Sequence, residues 1–115
     1  MDMKRDDRRR AMPRVRVHFR ARFSDSTRLE GKGRLLDLSL GGCCIQSPVS
    51  LGAGVSLEVW IYAPDIVRPL EISAARVQWV SGQTFGLAFS QMTLVEQHRL
   101  GQTVNELIGD GPSAG

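Results

Sequence analysis

At 115 residues, of which 42% are hydrophobic and 23% charged, the chain has the length and make-up of one globular domain, enough for a single core and too short for two. Its net charge of +3 conceals an asymmetry, because residues 1–22 carry nine Lys or Arg against three Asp while the remainder is net acidic. That balance excludes a polyelectrolyte that is sticky everywhere and confines the attraction for an anionic partner to one segment.

In chain order, Val15, Val17, Phe19, Ala21 and Phe23 alternate with Arg16, His18, Arg20 and Arg22, the period of a half-buried strand. His18 falls on the polar face and reads as a solvated histidine. Ser24 to Arg28 is polar and turn-like. Gly33 to Leu40 is predicted to be a second strand, with Leu36, Leu38 and Leu40 on one side and Leu35, Asp37 and Ser39 on the other. Gly41 and Gly42 offer the positive φ or close backbone approach that a tight reversal needs, and a short strand follows through Cys43, Ile45 and Ser47.

After a loop to Gly54, Val55, Leu57, Val59 and Ile61 alternate with Ser56, Glu58, Trp60 and Tyr62, which predicts a fourth strand with two outward aromatics. Pro64 to Pro69 breaks the chain. Leu70 to Val80 predicts a long strand whose apolar phase changes from Leu70, Ile72 and Ala74 to Ala75, Val77 and Trp79, implying a bulge or bend and placing Trp79 in the core. Ser81-Gly82-Gln83 is a hairpin connection into a sixth strand with Phe85, Leu87 and Phe89 on one face. The period then becomes helical: Thr93 and Glu96 form a capping-box pattern, and Leu100, Val104, Leu107 and Ile108 share a face. Gly101 inside that helix makes it depend on docking.

Six short strands separated by turn signals, closed by one helix, argue for an all-β-dominated antiparallel barrel or sandwich. Cys43 and Cys44 are adjacent, so a disulfide between them is strained and no second pair exists; one packed and one semi-exposed thiol in a reducing compartment is the expectation. His18 and His98 stand apart from any metal-ligand spacing. The basic amino terminus lacks the apolar stretch of a signal peptide and no run approaches a membrane span, which makes the expected location cytoplasmic.

Two motifs carry chemistry. Arg8, Arg9, Arg10 and Arg14 form a basic cluster with Pro13 inside it, which disfavours a regular helix there. Asp37-Leu38-Ser39-Leu40-Gly41-Gly42 places a carboxylate and a hydroxyl beside a glycine corner. The fork of an arginine matches the paired O6 and N7 acceptors of guanine, and a carboxylate matches its N1 and N2 donors. Taken singly, Asp37 and Ser39 equally suit the capping of turn amides.

Taken together, RxxxR (Arg10 to Arg14) followed by DxSxxG (Asp37, Ser39, Gly42) resembles the ligand signature of the PilZ domain family, bacterial receptors for the second messenger cyclic di-GMP, and the resemblance extends over residues 8–108. It implies a six-stranded antiparallel β-barrel with one C-terminal α-helix. In the division it suggests, residues 1–14 are a flexible basic arm, 15–108 the barrel and helix, and 109–115 a disordered tail. It implies that Arg10 and Arg14 grip phosphates and the Hoogsteen edges of guanine, that Asp37 and Ser39 meet N1 and N2, and that Gly42 leaves room for the ligand. Arg9 matches the position at which an arginine favours a stacked pair of ligands over one.

No catalytic pair or phosphate-cradling loop is evident, so a receptor without enzymatic activity or cofactor is expected, signalling to an unidentified downstream protein when its arm becomes ordered. Composition alone suggests nucleic acid; Asp37 and Ser39 redirect the expectation to a cyclic dinucleotide. The two competing readings are a small barrel binding nucleic acid through its basic arm, and a degenerate PilZ adaptor that binds only protein.

Overall fold

Strand β1, Val15–Ser24, is bonded along both edges. In the computed structural model, which describes residues 13–27 and 29–109, it pairs antiparallel with β2, Glu30–Leu38, on one side and with β4, Ser56–Tyr62, on the other. With β3, Gly42–Gln46, β5, Leu70–Ser81, and β6, Thr84–Gln91, the strands close a barrel in the order β1-β2-β3-β6-β5-β4. Every pairing is antiparallel. Helix α1, Leu94–Gly109, completes the chain. The six strands and terminal helix expected from the sequence are therefore present; of the expected arm, 1–14, the first twelve residues, with Arg9 and Arg10, lie outside the described residues, as does the expected tail, 109–115, apart from Gly109, which ends the helix.

Among the described residues, closure leaves no open sheet edge. Inside, Phe23, Leu35, Leu38, Ile45, Val59, Ile61, Leu70 and Phe85 are almost fully buried, each stabilising the fold by about 1.5–3 kcal/mol through removal from water. Phe23 and Phe85 meet edge to face with centroids 5.4 Å apart, the arrangement their ring quadrupoles favour.

Two predicted phases differ in the structure. A register shift between Leu35 and Asp37 ends the simple alternation of β2, so Leu35 and Leu38 both face the core while Leu40 lies beyond the strand and is exposed. In β5 a shift between Val77 and Trp79 turns the tryptophan outwards. Trp79 is 45% exposed and does not belong to the core.

The helix is held by a buried ion pair as well as by Leu100 and Val104. Thr93 Oγ1 accepts the Glu96 N–H at 3.2 Å, one half of a capping box. The Glu96 carboxylate does not return to Thr93. It accepts the Glu71 N–H at 3.1 Å and the Arg99 guanidinium at 2.8 Å, while Arg99 also donates to the carbonyls of Arg68 and Pro69. The first turns of α1 are thus tied to the connection entering β5. Ile108, expected on the packed face, is 42% exposed.

Gly101 has open space where a Cβ would sit. Gly101→Ala is therefore expected to raise stability by about 1 kcal/mol and the melting temperature by roughly 4–6 °C, measurable by circular dichroism.

Candidate functional site

One register row of the outer wall assembles the site. Arg16 on β1 lies opposite Asp37 on β2, Asp37 opposite Cys44 on β3, Cys44 opposite Gly86 on β6, and Gly86 opposite Trp79 on β5. Cross-strand partners share a face. The row therefore runs from a cation, through a carboxylate, across two small residues, to an indole. Cys44 and Gly86 form a low floor between Asp37 and Trp79. A Cβ on Gly86 would collide with the indole of Trp79, so glycine there is what lets the ring lie against the wall.

At the Gly86–Trp79 end of this row a cavity of about 420 Å³ is lined by Arg14, Ser39, Gly41, Trp79, Gly86 and Ala88, among others. Arg14, just before β1, reaches across to Asp37, with Nη1 3.2 Å from Oδ1. The arginine side chain is 56% exposed and the aspartate 25%. An ion pair so accessible to water contributes about 0–1 kcal/mol. Among the described residues only Arg14 bonds the Asp37 carboxylate, which leaves it capacity to accept from a ligand.

Ser39 is buried and organises the corner from within. Its backbone N–H donates to the Gly42 carbonyl at 2.9 Å, and its Oγ accepts the N–H groups of Gly41 at 3.2 Å and Gly42 at 3.1 Å. This is a serine turn in which the side chain stands in for a missing backbone acceptor. Gly42 serves a close approach rather than a left-handed φ: a Cβ there would strike the Leu87 carbonyl oxygen across the β3–β6 pair. Gly54 and Gly82 are the glycines with positive φ among the described residues.

Of the expected site residues, Arg14, Asp37, Ser39 and Gly42 thus converge on one corner, while Arg9 and Arg10 lie outside the described residues. Trp79 was missed. The signal available in sequence was the change of apolar phase along β5, which does not reveal on which side of the shift the indole falls.

The thiols flank the site differently. Cys43 points into the core and burial pushes its pKa far up, with the nearby Asp37 carboxylate adding to the effect. Cys44 lies on the outer row yet is only 7% exposed, and burial followed by Asp37 raises its pKa too, with Arg14 opposing. Neither has the electropositive, accessible setting of a reactive cysteine.

A family profile described as the PilZ domain matches residues 7–106. The chain belongs to the PilZ domain family. No protein of curated function matches the sequence. Among solved structures, this PilZ domain is similar to the PilZ domain of YcgR from Escherichia coli with c-di-GMP, at 15% identity and a TM-score of 0.73, covering 92% of this chain and 96% of that one. It is also similar to the PilZ domain of CeSA from a cellulose-synthesizing bacterium, at 16% identity and a TM-score of 0.67, covering 84% and 98%. The MrkH–c-di-GMP complex of K. pneumonia matches at 15% identity and a TM-score of 0.70, covering 90% of this PilZ domain and 54% of MrkH. At such identities the likeness establishes the shared fold.

Two outcomes are expected. Gly42→Ala should destabilise the fold by about 2–3 kcal/mol in urea denaturation, with or without ligand, because the obstacle is backbone. With their pKa values raised above the ordinary 9.0, both thiols are held protonated in the native state, so stability should fall as pH rises beyond that value. Iodoacetamide at pH 8 should modify Cys44 before Cys43, and both far more slowly than an unfolded control.

Proposed function

We propose that this protein is a bacterial, cytoplasmic receptor that binds cyclic di-GMP over the Asp37–Trp79 trough and carries out no chemistry. The observation that carries the reading is a cavity lined by both Arg14 and Trp79, with Arg14 held by an exposed ion pair to Asp37. Family membership supports it, as do the c-di-GMP complexes of YcgR and MrkH among the structural relatives.

In this reading Arg14 exchanges an exposed, weak ion pair for a charge-assisted bond to phosphate or guanine, worth about 1.5–3 kcal/mol. Asp37 is released to accept from guanine N1 and N2. Ser39 and Gly42 act chiefly by shaping the corner, since the serine hydroxyl already bonds backbone, with Ser39 lining the cavity the ligand enters. Trp79 offers a flat π-face at the far end of the floor, on which a base stacks at a gain of about 1–3 kcal/mol. Arg9 and Arg10 descend from the arm to close over the nucleotide, Arg9 accommodating a stacked pair, and the ordered arm presents a changed surface to a downstream protein. Ordering that arm costs conformational entropy, which the new charge-assisted bonds offset.

Among the described residues no helix is long and apolar enough to cross a membrane.

Titration calorimetry with cyclic di-GMP is expected to show binding to the unaltered chain, losses of at least tenfold for Arg14→Ala and Asp37→Ala, and a ligand-to-chain ratio near two that falls towards one in Arg9→Ala. Trp79 fluorescence should change on saturation in a Trp60→Phe background. Absence of binding by the unaltered chain overturns the receptor reading, and a ratio near one in that chain overturns the stacked pair.

A further inference from the structure

A second face of the barrel has properties that the nucleotide site does not use. Towards the far end of β1, Arg20 stands opposite Arg34 and Arg22 opposite Lys32 on β2. Like charges directly across a strand pair destabilise a sheet. Arg22 has one distant partner, Glu30 at 3.8 Å, with both side chains more than half exposed, and among the described residues Arg20, Lys32 and Arg34 have no carboxylate partner. The fold by itself gains nothing from this two-by-two grid of cations.

On the other side of β1 the same two arginines face aromatics. Arg20 lies opposite Tyr62 and Arg22 opposite Trp60 on β4, and the Arg20 guanidinium sits 5.8 Å from the centroid of Tyr62. Beyond Tyr62 the surface continues into the loop before β5, where Val67 is entirely exposed beside His18, Pro64 and Pro69. A cavity of about 410 Å³ opens among Arg20, Arg22, Lys32 and Tyr62. Arginine and aromatic rings at the centre with an apolar flank are the composition of a protein-binding hot spot.

We propose that the β4–β1–β2 wall is a docking surface for an acidic segment of another protein that also carries apolar side chains. The cationic grid takes its carboxylates, and Tyr62 and Val67 take its apolar anchor. The border of the patch favours a protein over a nucleic acid strand. Glu30 and Glu58 both lie opposite Ser24 at one end, and Glu71 lies opposite Trp60 at the side. A polyphosphate running across the barrel meets those carboxylates unfavourably, whereas a protein surface matches them with its own cations and gains specificity from the mixed rim. From Arg14 to Arg20 the extended chain runs about 20 Å, so this surface is separate from the nucleotide trough and stands whether or not that trough binds cyclic di-GMP.

The test uses the full chain and fluorescence anisotropy with a fluorescein-labelled twelve-residue peptide repeating Glu-Asp-Leu. The expected result is binding that weakens as salt is raised, with a loss of at least tenfold for Arg34→Glu and about threefold for Val67→Asp. Arg34→Glu puts a carboxylate opposite Arg20, so its melting temperature should rise by about 2 °C; a variant that is better folded yet fails to bind separates docking from stability. Asp37→Ala, expected to lose the nucleotide, should keep the peptide. Undiminished binding by Arg34→Glu, no salt-sensitive binding to the peptide, or tighter binding of a twelve-nucleotide oligothymidine each overturns the proposal.

Discussion

The double pairing of β1 is the constraint on which the rest depends. Bonded to β2 along one edge and β4 along the other, it converts six strands into a closed wall and fixes where the preceding chain must leave it. Arg14 is the last residue before that strand. Its reach to Asp37 follows from the register that places the start of β1 beside the end of β2, where Val15 meets Leu38 and Arg16 meets Asp37. A free first strand would leave Arg14 without an address; a strand held on both sides delivers it to one corner.

At that corner, neighbouring residues are held in two different ways. Ser39 and Gly42 are tied to backbone: one caps two amides, the other admits the Leu87 carbonyl. Arg14 and Asp37 hold each other loosely in water. The rigid members set geometry, and the exposed pair keeps its bonding capacity. Cys44, with its small side chain, and Gly86, with none, continue the row from the corner to Trp79. No segment adjacent in sequence contains these groups; the antiparallel rows of the barrel bring them into line.

The same strand also explains why the molecule has two cationic faces of different character. Near its start, arginine is matched by Asp37 and bounded by small residues. Further along, Arg20 and Arg22 are opposed by further cations and flanked by rings. In an alternating strand both sets necessarily point outwards, and what differs is what the neighbouring strands set beside them. Helix α1 is anchored through Glu96 and Arg99 on the entry to β5, and Arg20, Arg22, Lys32 and Arg34 remain exposed.

Much of the fold was legible from the residues. Alternation in β1 and β4, punctuation at Pro64 to Pro69 and at Gly82, and the change of period after Thr93 determined the number and order of elements, because burial on one face imposes period two on strands and 3.6 on helices. The two motifs also named Arg14, Asp37, Ser39 and Gly42 before any of them had a position in space. Tertiary structure alone decided the phase after each bulge, since an inserted residue reverses every later side chain; hence Trp79 is outside and Leu40 exposed. It also decided what the motif residues do. A sequence records that serine and glycine follow an aspartate, but whether the hydroxyl faces a ligand or two backbone amides depends on the turn's closure against β6. Alignment across β2, β3, β6 and β5 depends on hydrogen-bond register between segments far apart in the chain, and no local pattern carries that information.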